Sequence, residues 1–75
     1  MLKRNRVLTA FGTNVRRRRE TLDLTQEQLA EKADLDQTYI SGIERGIRNP
    51  SVLSIVRLAK ALGTTASEIS EGIER

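Results

Sequence analysis

The chain has 75 residues, enough for one small domain, and oligomerisation is a common way to supplement so small a core. It contains no cysteine and no histidine, which excludes disulfides and thiolate metal sites and removes the commonest general base. The net charge of +3 is uneven, because residues 1–19 carry seven basic side chains and no acidic one, whereas the other 56 residues carry six basic and ten acidic side chains. Such a local basic patch favours a polyanionic partner.

The hydrophobic periodicity predicts an all-α fold, a compact bundle of five helices without strands. Residues 1–7 are expected to form a flexible basic arm, and residues 8–75 a single domain. The first helix is expected from about Leu8 to Leu22, with Phe11, Val15 and Leu22 on its inner face. No apolar run approaches the roughly 20 residues that span a bilayer, so we expect a cytoplasmic protein with no membrane partner.

The later helices have recognisable start and stop signals. Thr25 and Gln28 form a capping box for helix two, and Asp36 is a good N-cap for helix three. The turn at Asn49-Pro50-Ser51 is expected to start helix four, which runs to about Leu62. Helices three and four should end at Gly46 and Gly63. The inner face of helix four should consist of Val52, Ile55, Ala59 and Leu62. Thr65 and Glu68 should cap a short helix five that carries Ile69 and Ile73.

The run from Thr25 to Glu44 predicts two short helices joined by a tight turn, the layout of a helix-turn-helix that presents its second helix to the major groove of DNA. The first of these helices packs through Leu29, Ala30 and Ala33, and the second through Ile40 and Ile43. At helical spacing, the outward positions of the second helix are Gln37, Thr38, Ser41, Gly42 and Arg45.

We expect direct contacts to bases from Gln37, Thr38 and Ser41. Glutamine pairs well with adenine, and threonine offers a hydroxyl together with a methyl group for thymine. Glycine in mid-helix is unfavourable by roughly 1 kcal/mol relative to alanine, so Gly42 needs a reason. Two explanations stay open, a close approach of DNA and close packing against helix two.

Contacts to phosphates are expected from a second set of side chains. Gln26 lies at the partly positive first turn of helix two, where a phosphate can dock. The hydroxyl of Tyr39 has two open interpretations, a phosphate contact or a purely structural role. The full set of expected phosphate contacts is Arg16, Gln26, Tyr39, Arg45, Arg48 and Asn49.

The position of Arg19 predicts a structural ion pair. Arg19 follows Val15 by four residues and therefore borders the inner face of helix one, while Glu44 lies on the inner side of helix three. We expect the two to pair and to tie helix one to the outward-reading helix. If the pair is buried, removal of one partner should destabilise the fold by roughly 3–5 kcal/mol.

Taken together, these segments resemble the Cro and phage-repressor type (XRE-like) helix-turn-helix family, and most of all the controller proteins of restriction–modification systems. The resemblance covers about residues 8–70 and is carried by Val15-Arg16-x-x-Arg19, Leu24-Thr25-Gln26-x-x-Leu29-Ala30, Tyr39-Ile40-Ser41-x-Ile43-Glu44-Arg45-Gly46, Arg48-Asn49-Pro50-Ser51 and Leu58-Ala59-x-Ala61-Leu62-Gly63. It implies a homodimeric transcription regulator that binds a palindromic operator in double-stranded DNA, with RNA polymerase as a further candidate partner. It also implies a dimer interface near the last helix, at Leu62, Ile69 and Ile73.

Four positions depart from the family pattern. Asp23 stands where glycine is usual, Arg18 where an apolar residue is usual, Leu53 where a polar residue is usual, and Gln37 where controller proteins often carry arginine. Gln37 therefore favours adenine over guanine at its position.

An antitoxin-like module that binds a partner protein is the alternative function. We expect no enzyme activity, no metal, no cofactor and no small-molecule ligand, because the carboxylates are scattered and no phosphate-binding glycine loop is evident.

Overall fold

The computed structural model describes residues 5–75, which fold into five α-helices and, as predicted, contain no strand. In chain order the helices are α1 (Arg6–Thr21), α2 (Gln26–Ala33), α3 (Gln37–Glu44), α4 (Val52–Ala61) and α5 (Ala66–Ile69). Within the described part of the chain, no helix combines the length and apolar character needed to cross a membrane.

The first helix begins earlier than predicted. Arg6 and Val7, which we had assigned to the basic arm, belong to the first turn of α1. The reason is a cap that the prediction missed, because Oδ1 of Asn5 accepts a hydrogen bond from the backbone N–H of Leu8 at 3.1 Å. The rest of the predicted arm, residues 1–4, lies outside the described residues.

The predicted starts of α2 to α5 and the predicted ends of α1, α3 and α4 agree with the structure within two residues, but α5 ends at Ile69, so Ile73, which was expected on this helix, lies in the turns that follow it. The capping box is complete at Thr25 and Gln28, and Asp36 caps α3 by accepting from the N–H of Thr38 at 2.7 Å. Ser51 is the N-cap of α4, and the Thr65 hydroxyl accepts from the N–H of Glu68 at 3.1 Å. Local side-chain chemistry therefore positions the start of each helix.

Two aspartates build the turns on either side of α2. Asp23 and Asp34 both have φ of +56°, the left-handed region that short polar side chains tolerate better than most. Asp23, which stands where glycine is usual in the family pattern, thus adopts a backbone conformation that glycine also adopts readily.

The core lies where α1 packs against α3, α2 against α3 and α4, and α5 against α4 and α1. Its buried apolar side chains are Phe11, Val15, Leu29, Ala30, Ala33, Ile40, Ile43, Leu58, Ala59, Leu62 and Ile69.

Two expected inner positions were wrong. Leu22 is 49% exposed at the end of α1, and Val52 is 79% exposed in the first turn of α4. The buried stripe of α4 instead follows Ser54, Leu58 and Leu62, with Ile55 and Ala59 beside it, so Val52 falls off that face. Leu58, which the inner-face prediction omitted, is fully buried.

Gly12 brings α1 against the end of α3. A Cβ atom at this position would overlap the carbonyl oxygen of Ile43 and lie 2.7 Å from that of Glu44. The contact atoms belong to the backbone, so they have little freedom to move aside. The absence of a side chain at residue 12 therefore determines how closely the long helix supports α3.

Candidate nucleic-acid interface

The predicted helix-turn-helix is present as α2, a three-residue turn and α3. The turn begins with Asp34 in the left-handed conformation, and the N–H of Leu35 donates to the carbonyl of Ala30 at 2.9 Å. The side chain of Asp36 then starts α3. Leu29 and Ala33 on one helix and Ile40 and Ile43 on the other are buried in the shared core, which holds the two helices in a fixed relation.

The structure places the three predicted base-contacting residues on the outer side of α3. Gln37 and Thr38 are exposed, and Ser41 is half-buried. Ile40 and Ile43 on the opposite side are 0% and 1% exposed. The surface of α3 therefore offers an amide and two hydroxyls in a row, supported from behind by core packing.

The predicted ion pair is present behind α3. Nε of Arg19 donates to Oε2 of Glu44 at 2.7 Å, and Nη2 donates to Oε1 at 3.0 Å, in the two-pronged geometry that arginine forms with a carboxylate. The two side chains are only 12% and 2% exposed. The hydrogen bond with Glu44 raises the pKa of Arg19, so the guanidinium remains charged although little of it is exposed.

Two further groups extend the ion pair into a network. Nη1 of Arg19 donates to the carbonyl of Leu24 at 2.7 Å, and Nε2 of Gln26 donates to Oε1 of Glu44 at 3.0 Å. The carboxylate of Glu44 therefore joins α1, the start of α2 and the end of α3. Sequence reasoning expected Gln26 only at a phosphate, but its amide also belongs to this network, with one N–H and the carbonyl oxygen left over.

The remaining predicted phosphate contacts fall into two groups. Arg45, Arg48 and Asn49 are exposed at the end of α3 and in the loop that follows, beside the outward face. Arg16 and Tyr39 have partners of their own. Arg16 pairs with Glu20 one turn along α1 at 3.3 Å, with both side chains more than half exposed. The hydroxyl of Tyr39 accepts from the N–H of Ser51 at 3.3 Å, a structural contact that leaves its own O–H to donate elsewhere.

The expected dimer residues lie mostly inside the protomer. Leu62 and Ile69 are 3% and 0% exposed in the core, so the expectation that they contact a second chain is corrected to a core role. Ile73 is half-buried against that core. In this small domain Leu62 and Ile69 are needed to close the bundle, so these two side chains have little surface left for a partner.

Three of the exposed apolar side chains lie together on α4. Val52, Leu53 and Val56 form a stripe on the outer side of α4, with 79%, 59% and 37% exposure. We call these three residues the α4 stripe. Sequence reasoning noted Leu53 as an unusual apolar residue but assigned Val52 to the inner face, because a short apolar run does not reveal which face is covered.

Known proteins resemble this chain over most of its length. It matches the helix-turn-helix family over residues 15–69. It is 40% identical over 72 residues to the control protein C.MunI from Mycoplasma sp, covering 95% of this chain and 97% of that protein. It is 42% identical to the control protein C.BamHI from Bacillus amyloliquefaciens, covering 87% and 82% of the two chains. The crystal structure of the restriction-modification controller protein C.AhdI from Aeromonas hydrophila superposes with a TM-score of 0.81 at 42% identity, covering 83% of this chain and 94% of the other.

Proposed function

Because the chain belongs to the helix-turn-helix family, we propose that it is a sequence-specific DNA-binding regulator of transcription, and specifically the controller protein of a restriction–modification system. Similarity to the control proteins over nearly the full length supports the specific role. The observation that carries the DNA-binding role is the outer row of Gln37, Thr38 and Ser41 on a helix whose opposite side is locked into the core.

In this proposal α3 enters the major groove and reads base edges. Gln37 pairs with adenine through its amide, Thr38 contacts a base edge or a thymine methyl group, and Ser41 donates or accepts a single hydrogen bond. The network around Glu44 keeps α3 at a constant angle to α1 and α2. A rigid reader loses little conformational freedom when it binds, so more of its contact energy appears as affinity.

Phosphate contacts position α3 over its bases. Arg45, Arg48 and Asn49 are exposed beside the outward face, and the first turn of α2 offers unpaired N–H groups next to the remaining amide hydrogen of Gln26. These contacts carry no sequence information, but they determine register and make binding sensitive to salt. Arg16 is a weaker candidate because it already pairs with Glu20, whereas the Tyr39 hydroxyl, which only accepts from Ser51, keeps its O–H to donate to a phosphate.

Selection of bound duplexes from a random DNA library tests the proposal. We expect a palindrome with two short half-sites. Gln37→Ala should relax the preference at one base pair per half-site, with a loss of about 1–3 kcal/mol for the preferred sequence. The matched control is Arg48→Ala, which should weaken binding to all sequences alike and reduce the salt slope by about one. If Gln37→Ala selects the same bases with the same preference, the assignment of the reading face is wrong.

We propose that the regulator acts as a homodimer and that the α4 stripe is the contact with the second copy. Two readers in successive major grooves lie about 34–36 Å apart. The domain measures 32 × 24 × 22 Å, so that spacing is slightly more than its longest dimension and within reach of two protomers in contact. The stripe lies at the start of α4, whose N-cap Ser51 is hydrogen-bonded to Tyr39 of α3. A contact through the α4 stripe would therefore place the two-fold axis of the dimer close to the α3 helix of each protomer.

Sedimentation equilibrium of paired variants tests this interface. Leu53→Lys should shift the protein towards monomer, because it places a charge at the centre of the exposed stripe. Leu22→Lys is the matched control, since Leu22 is another exposed leucine, 49% accessible, at the far end of α1. Equal self-association in wild type and Leu53→Lys would exclude the stripe as the dimer contact.

The same stripe favours a second candidate function, binding to a different protein. An antitoxin-like module would use it to hold a partner chain, and an activating regulator would use such a surface to contact RNA polymerase. A stable one-to-one complex with another protein, isolated from the native cell together with an absence of DNA selectivity, would support the antitoxin-like alternative over the proposed regulator.

A further inference from the structure

Gly42 in the middle of α3 is covered by the side chain of Arg48. A Cβ atom built on Gly42 would overlap Cγ of Arg48 and lie 3.4 Å from both its Cβ and its Cδ. Gly42 is accordingly buried although it lies on the outward side of α3. The open question of why a glycine stands here has a specific answer, because the three atoms nearest to a Cβ at this position all belong to Arg48 and none to α2.

The backbone of the same glycine also holds the loop. The carbonyl of Gly42 accepts from the N–H of Ile47 at 3.0 Å and from the N–H of Arg48 at 3.2 Å. Residue 48 is therefore attached to α3 twice, through its amide and through the aliphatic part of its side chain. Gly42 does not have a left-handed φ, so its missing side chain, and not backbone conformation, is the property that this position uses.

This arrangement brings a positive charge to the reading face. Positions 38, 41, 42 and 45 share the outer side of α3, and the stem of Arg48 packs across it at residue 42. Arginine stems readily cover a surface while the guanidinium remains in water. Within residues 5–75 the guanidinium of Arg48 forms no ion pair, so its charge is available to a DNA backbone.

We propose that Gly42 is a positioning residue that seats Arg48 against α3 and so directs its guanidinium to DNA. This inference rests on the proposed function. When its aliphatic part packs on Gly42, Arg48 has already lost much of its rotamer freedom in the free protein. The entropy cost of ordering this side chain therefore no longer lowers the affinity for DNA. A methyl group at residue 42 would displace the stem, and the side chain would have to be ordered again during binding.

A double-mutant cycle, measured with the selected operator, tests whether Gly42 positions Arg48. Gly42→Ala should weaken binding about threefold to tenfold, the effect expected for ordering one long side chain. In an Arg48→Ala background the same change should alter affinity less than twofold, since there is no stem left to displace. The melting temperature of Gly42→Ala should not fall, because the arginine side chain can move away and alanine is the better helix former.

Each other result has a distinct meaning. Equal losses from Gly42→Ala in both backgrounds would show that the methyl group meets DNA itself, and would overturn the proposal. A strong effect of Arg48→Ala with none from Gly42→Ala would overturn it as well. No effect of Arg48→Ala would remove Arg48 from the proposed phosphate contacts while leaving DNA binding intact. A nuclear Overhauser contact between the Gly42 α-protons and the Arg48 γ-protons in the free protein tests the seat without DNA, and its absence would refute the seat even if DNA selectivity were confirmed.

Discussion

Replacement of Glu44 by glutamine should destabilise the domain far more than a surface substitution would. Glu44 is 2% exposed in its side chain and accepts three hydrogen bonds, two from Arg19 and one from Gln26. The change preserves shape but leaves the guanidinium of Arg19, 12% exposed, without a compensating charge. Breaking a buried pair in this way destabilises by about 3–5 kcal/mol. A 75-residue domain has a total stability of about 4–11 kcal/mol, so much of its margin would be lost.

Thermal and urea unfolding followed by circular dichroism measure this loss. A change of 1 kcal/mol moves the melting temperature of a domain of this size by about 4–8 °C, so we expect a decrease of at least about 12 °C. The double variant Arg19→Met/Glu44→Leu should recover most of the loss, because apolar side chains of similar volume often replace a buried pair at little net cost. A loss below about 1 kcal/mol for Glu44→Gln, the range of exposed pairs, would refute the reasoning.

Two further predictions concern α1 and α5. Gly12→Ala should destabilise by about 1–3 kcal/mol, because its methyl group would overlap backbone carbonyls at the end of α3, whereas the neighbouring exposed Thr13→Ala should change stability little. Glu68 accepts a hydrogen bond from Thr64 at 2.8 Å and faces Arg18 at 3.6 Å, and these partners hold the pKa of its carboxyl below the ordinary value of 4.5. A lowered carboxyl pKa adds stability above about pH 4.5 and loses it as the pH falls through the folded-state pKa, so Glu68→Gln should flatten acid unfolding in that window. Identical acid titrations of unfolding for wild type and Glu68→Gln would contradict this account, as would equal melting temperatures for wild type and Gly12→Ala.

Sequence patterns predicted most of the helices and the three candidate base contacts. Caps such as Thr25 with Gln28, and Asp36, act through bonds to residues two or three positions away, so they are readable from the chain alone. The predicted pairing of Arg19 with Glu44 also needed only helical spacing and the helix-turn-helix layout. The sequence failed at the N-terminal boundary of α1, where Asn5 was not recognised as a cap.

Tertiary structure decided which apolar side chains close the core and which remain exposed. Leu62 and Ile69 are buried and Val52 and Leu53 are exposed, although all four are similar in polarity, because burial depends on where neighbouring helices lie and not on local periodicity. It also decided which side chain packs on Gly42, because a glycine in mid-helix indicates only that some other group needs the space. The sequence by itself thus determined the helices and the outward side of α3, the proposed reading face, through short-range bonds and spacing. The exposure of the α4 stripe, which we propose as the dimer contact, and the packing of Arg48 on Gly42 depend on how the elements lie relative to one another, which only the folded chain decides.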